Sequence, residues 1–160
     1  VVLEAACERV IRATSEMKAA RSHADESAAE AIEEIERRVA AALDREILMG
    51  LPDMGDRVYG VRVGADVSAF AKVPRGAPPC LAIDRHGMLV AVSITAGGTA
   101  FVQRAPRGMI KAGILEPYMS AMALAIDVHV RSAERRTEQF EIIRNIAERI
   151  RDVLNERDAR

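Results

Sequence analysis

PYMSAMALAIDVHVRSAERRTEQFEIIRNIAERIRDVLNER, from Pro117 to Arg157, is where this chain declares its architecture. Within it Met119, Met122, Ile126, Val130, Ala133, Thr137, Phe140, Ile143, Ala147, Ile150 and Leu154 recur at gaps of three and four, with a mean of 3.5. That is the seam spacing of packed or supercoiled helices. At 1.5 Å per residue an unbroken helix here would be about 60 Å long, longer than a compact domain of this size is wide. Its first half, PYMSAMALAIDVHV, is apolar nearly all round, which predicts burial on every side. Its second half is amphipathic, with Glu141–Arg144 and Glu148–Arg151 as i,i+3 pairs. The first half is therefore expected on a sheet. The second is expected on another helix, supplied either by the N-terminal region or by a second copy of the chain. Phe140, Ile143, Ala147, Ile150 and Leu154 are the expected oligomer interface.

Residues 2–49 read as helix by the same rule. Leu3, Ala6, Val10, Ala13, Met17, Ala20, Ala24, Ala28, Ala31, Ile35, Val39 and Ala42 recur at threes and fours, and the alanines would let a partner helix approach closely. Glu33–Arg37 and Glu34–Arg38 are i,i+4 pairs of the favoured orientation. Gly50 followed by Pro52 is a stop signal. Ser27 and Glu30 have capping-box spacing, so either one helix passes through or a hairpin turns near 22–27; the unbroken rhythm favours one helix.

Between Arg57 and Arg104 the period falls to two. RVYGVRV, VSAFAKV, CLAID, MLVAVSIT and TAFVQR are short runs separated by glycine turns, the pattern of an antiparallel meander of four or five strands. Pro74, Pro78 and Pro79 are expected to break pairing between the first hairpin and the rest. The fold class is α+β, one domain spanning 1–160, with a helical region (1–50), a sheet (57–104) and a long helix (117–157).

Composition supports a folded chain: 49% apolar and 29% charged, with a net charge of −1. With no Trp, two Tyr and three Phe, the core must be aliphatic. Residues 1–50 carry a net charge of −4 and residues 51–110 a net of +3, too small an asymmetry to indicate nucleic acid or a membrane surface. Two cysteines make no disulfide framework. No apolar run reaches the roughly 20 residues of a membrane span and no signal peptide is evident, so a cytoplasmic location is expected. The chain opens on Val1-Val2 rather than Met, as a fragment of a longer protein would.

The strong catalytic and nucleotide-binding signatures do not occur in the sequence, and His23, His86 and His129 show no metal-ligand spacing. No cofactor or metal is expected. A Cys80/Asp84/His86 site is the best catalytic constellation, but an extended strand would set His86 about 20 Å from Cys80. A bland reading, a small buried Cys and a polar Asp-Arg-His-Gly turn, fits as well. Arg104, Arg107 and Lys111, with Arg75 and Arg85 on neighbouring turns, form a basic loop able to bind a phosphate-bearing small molecule. Asp127 is expected to pair with Arg131 one turn on, and His129 to be a satisfied core histidine. Met109, Met119 and Met122 read as core filler. The CLAIDRHGMLVAVS hairpin resembles one in roadblock-type dimerisation domains over 14 of 160 residues, but the elements around it do not follow that fold's order. No residue role is transferred from it.

The leading functional expectation is a non-catalytic, oligomeric protein-interaction module with an unidentified protein partner. A phosphate-binding role for the basic loop comes second, and a hydrolase built on Asp84 and His86 third.

Overall fold

A computed structural model describes residues 2–42, 48, 50–54, 58–64 and 80–158, the side chains at 2, 94 and 152–158 excepted. Its elements are α1 (Val2–Ala42), β1 (Gly60–Gly64), β2 (Cys80–Asp84), β3 (Leu89–Ile94), β4 (Ala100–Arg104), two single-turn 3-10 helices (Arg107–Met109 and Ala112–Ile114), and α2 (Leu115–Asp158). The fold is α+β: a long N-terminal helix, a four-stranded antiparallel sheet and a long C-terminal helix. α1 runs unbroken through 22–27, because Ser-His-Ala-Asp-Glu-Ser holds neither Gly nor Pro and alanine pairs flank it at 19–20 and 28–29.

The sheet is a meander in the order β1-β2-β3-β4. β1 pairs directly with β2, Gly60 opposite Asp84 and Arg62 opposite Ala82. This corrects the expectation that the prolines separate the first hairpin from the rest. The nitrogens of Pro74, Pro78 and Pro79 all precede Cys80 in the sequence, so β2 offers an uninterrupted row of N–H donors to its neighbours. The prolines themselves and the expected VSAFAKV strand lie outside the described residues. A bulge between Arg62 and Gly64 ends β1, with Gly64 at a φ of +88°. Gly60 is required by close approach: a Cβ there would stand 2.6 Å from the Ile83 carbonyl oxygen.

Alternation along the strands sends Val61, Val63, Leu81, Ile83, Leu89 and Ala91 to the face that both helices cover. Ala82, Val90 and Val92 point the other way, packed by Met54, Val58, Cys80 and Met88. α1 contributes Ala29 and Ile32 to the main core, and α2 contributes Tyr118, Ala121, Met122 and Ala125. The small alanines let both helix axes sit close on the sheet, and fully burying Ile32 or Met122 contributes about 1.5–3 kcal/mol each.

The first half of α2 is not buried on every side. Tyr118, Ala121, Met122, Ala125 and His129 face inward, whereas Met119, Leu124, Ile126 and Val130 are substantially exposed. The covered face is therefore set by Tyr118 and the alanines rather than by the largest aliphatics, and Met119 is not core filler. Beyond Ser132 no described side chain of α2 is covered: Phe140 is 68% exposed, Ile143 60% and Ile150 56%. α1 mirrors this, with Leu3, Val10, Ile11 and Met17 exposed ahead of the segment that docks. The second half of α2 does not lie on α1 of its own chain.

Candidate functional site

Arg104, Arg107 and Lys111 are brought together, but against an acidic helix face. β4 ends at Arg104 and the first 3-10 turn begins at Arg107, which places both beside the docked part of α1. Arg107 stands 3.3 Å from Glu30, 3.3 Å from Glu33 and 3.6 Å from Glu26, carboxylates on successive turns of α1. Lys111 is 3.3 Å from Asp25, whose other oxygen accepts the Ala112 backbone N–H at 2.8 Å. That backbone bond, with Lys111 beside it, holds the Asp25 carboxyl below its usual range against a smaller opposing effect of burial. Arg104 donates to Glu36 at 3.0 Å. A phosphate entering here would compete with five carboxylates already in place. Arg85 lies at the exposed β2–β3 turn, where its carbonyl accepts the Leu48 N–H at 2.7 Å; Arg75 lies outside the described residues.

Glu36 is the residue that sequence periodicity misses. It is only 5% exposed and uses both oxygens, one accepting the Leu89 N–H at 2.7 Å and the other accepting from Arg104. The Leu89 N–H belongs to the first residue of β3, so Glu36 pins α1 to the sheet through main chain. Burial raises the Glu36 pKa; the Leu89 and Arg104 bonds oppose this and nearby Glu33 adds to it. Tyr118 is fully buried, its hydroxyl makes no hydrogen bond among the described residues, and burial followed by the Glu36 charge raises its pKa. A cleft of about 240 Å³ opens beside this cluster, lined by Ile32, Glu36, Leu89, Arg104, Arg107 and Ile110 among others. Opposed charges line it, Glu33 and Glu36 against Arg104 and Arg107.

The Asp84 carboxylate is committed to the turn. Its Oδ1 accepts backbone N–H groups from His86 and Met88, both at 2.9 Å. Cys80 lies at the opposite end of β2, across from Val92. Asp84 thus does what aspartate does in a hairpin turn, and the strand separates it from the thiol. Asp127 pairs with Arg131 at 2.9 Å, as its spacing predicts, and Glu34 pairs with both Arg37 and Arg38, while Glu33 reaches across to Arg107. His129 is buried. Among the described residues no group of three or more His, Cys, Asp or Glu is placed to hold a metal ion, and no helix is long and apolar enough to cross a membrane.

The remaining candidate surface is apolar. On α2 the buried residues Tyr118, Met122, Ala125 and His129 and the partly covered Ser132 fall on one helical stripe with Phe140, Ile143, Ala147 and Ile150. The same face that packs on the sheet thus continues, in phase, onto the exposed half. On α1 the exposed Leu3, Cys7, Val10 and Met17 continue the face of Ala28, Ile32 and Val39. Each stripe is broken by one arginine, Arg21 in α1 and Arg136 in α2, near the point where the helix leaves the packed body. Leu154 lies in α2 on the same stripe, its side chain outside the described residues.

No family model, curated protein or solved structure matches this chain.

Proposed function

We propose that this chain is an oligomeric protein-interaction module, an adaptor, inhibitor or assembly component that acts by contact rather than by catalysis. One observation supports this above the rest: Phe140, Ile142, Ile143, Ile146 and Ile150 are each more than half exposed, on a half of α2 that no described residue covers. A helix gains most of its stability in water from packing an amphipathic face, so a projecting segment with this composition is built to be covered. The internal pairing of Asp84, Arg104, Arg107 and Lys111 adds weight, since those side chains already serve the fold.

Self-association is the first form of contact this reading requires. Native mass spectrometry and light scattering over a concentration series should find a dimer or larger assembly. A Phe140→Asp, Ile143→Asp double variant should be monomeric over the same range with its fold intact. A wild-type chain that stays monomeric at every concentration would sink the reading.

A further inference from the structure

The exposed helical halves form two arms with different surfaces. Along its apolar face the α1 arm, residues 2–24, sets Leu3, Val10 and Met17 one to every two turns, with Ala6, Ala13, Ala20 and Ala24 between and beside them. The α2 arm, residues 133–158, is studded with Phe140, Ile142, Ile143, Ile146 and Ile150. At 1.5 Å per residue the arms are about 34 Å and 39 Å long, closely matched. Small side chains facing large ones interdigitate, whereas large facing large hold helices apart and small facing small leave little to bury.

The arms of one chain do not meet. The α1 arm leaves beside the Ala112–Ile114 turn, where Asp25 bonds Ala112, at the start of α2. The α2 arm leaves after Ser132, beside Gly50, roughly 25 Å further along the same helix. Both apolar faces are exposed in the monomer.

We propose that the occupant of each arm is the unlike arm of a second copy: α1 of one chain packs on α2 of its partner, and α2 on the partner's α1. This rests on the self-association reading above and adds the pairing rule. Two such contacts related by a two-fold axis satisfy both chains and close the assembly as a dimer, since residue i meets j wherever j meets i. Each stripe then continues a covered surface from the packed body along its whole length.

A subunit-mixing experiment on full-length chains tests the rule. One variant carries Met17→Lys, the other Ile143→Glu; both positions are more than half exposed in the monomer, so folding should be unaffected, as circular dichroism would verify. Alone, each variant has both of its contacts damaged and should be at least tenfold weaker in dimerisation than wild type. Mixed in equal amounts, they form a heterodimer with one undamaged contact and one that sets Lys against the Glu-bearing arm. Dimer should therefore reappear at concentrations where each variant alone is monomeric. If wild type dimerises but mixing restores nothing, like arms pair with like and this inference falls while the self-association reading stands. If wild type is monomeric throughout, both fall.

Discussion

The two halves of α2 share one apolar face and meet opposite fates. Around Ala125 that face is sealed against the sheet; around Ile143 it is 60% exposed. The three-and-four spacing runs through both alike, although the first half is apolar nearly all round and the second amphipathic. What differs is supply: a sheet of four short strands is wide enough to cover about five turns of helix and no more. Periodicity states that a face wants cover, and only the tertiary structure states which part of it the chain can cover alone.

Truncations on matched faces should expose this difference most strongly. Ile32→Ala, in the docked part of α1, should cost about 2–5 kcal/mol of unfolding free energy in urea titration. Met17→Ala, on the continuation of the same face, should change the unfolding of the dilute chain by less than about 0.5 kcal/mol. Equal effects would mean that the arm is already covered in the monomer. A chain ending at Arg136 sharpens the comparison: it should lose assembly on light scattering yet melt within a few degrees of the dilute full-length protein.

Glu36 separates hydrogen bonding from charge inside the docked half. Glu36→Ala leaves the Leu89 N–H buried without its acceptor and should cost about 1–3 kcal/mol. Glu36→Gln keeps an acceptor and should cost less at neutral pH. Because burial raises the folded-state pKa of Glu36, its ionisation contribution is greatest in acid and is lost as pH rises through the folded value. The melting temperature of wild type minus that of the Gln variant should thus fall between pH 4 and 8. A difference that grows with pH would mean that Arg104, not burial, controls the group. The smallest effect is expected on the rim: Arg107→Ala removes half-exposed pairs and should cost no more than about 1 kcal/mol, diminishing in high salt.

The element order, the single long α1 and the hairpin strands were legible because each rests on local chemistry: alanine-rich spacing, glycine turns, alternation of β-branched residues. The helical phase was only partly so. Periodicity put Ala31, Ile35 and Val39 on the α1 stripe and left out Ile32 and Glu36, which are the more deeply buried, and a carboxylate on the core face is invisible to a hydrophobic count. Ile32, the single large apolar residue between Ala24 and Glu34, was the available clue. In α2 the bulk of Met119, Ile126 and Val130 outweighed Tyr118 and Ala125 on paper, because spacing alone gives small residues no credit for letting a helix sit close to a sheet. The fate of the basic loop was illegible for a different reason: its carboxylate partners lie some 70 to 90 positions earlier, a separation no local pattern can span.

The joint between the two halves of α2 has no hinge; one helix carries both faces in phase. A single residue inserted between Ser132 and Phe140 would swing the arm by about 100° and advance it by about 1.5 Å, pointing Ile143 away from any partner positioned by the body. Seven inserted residues would restore the bearing to within about 20° and merely lengthen the reach. The packed body thus acts as a clamp that fixes the compass heading of the arm, and the length of chain through this joint can change only by close to a whole number of turns without losing the partner.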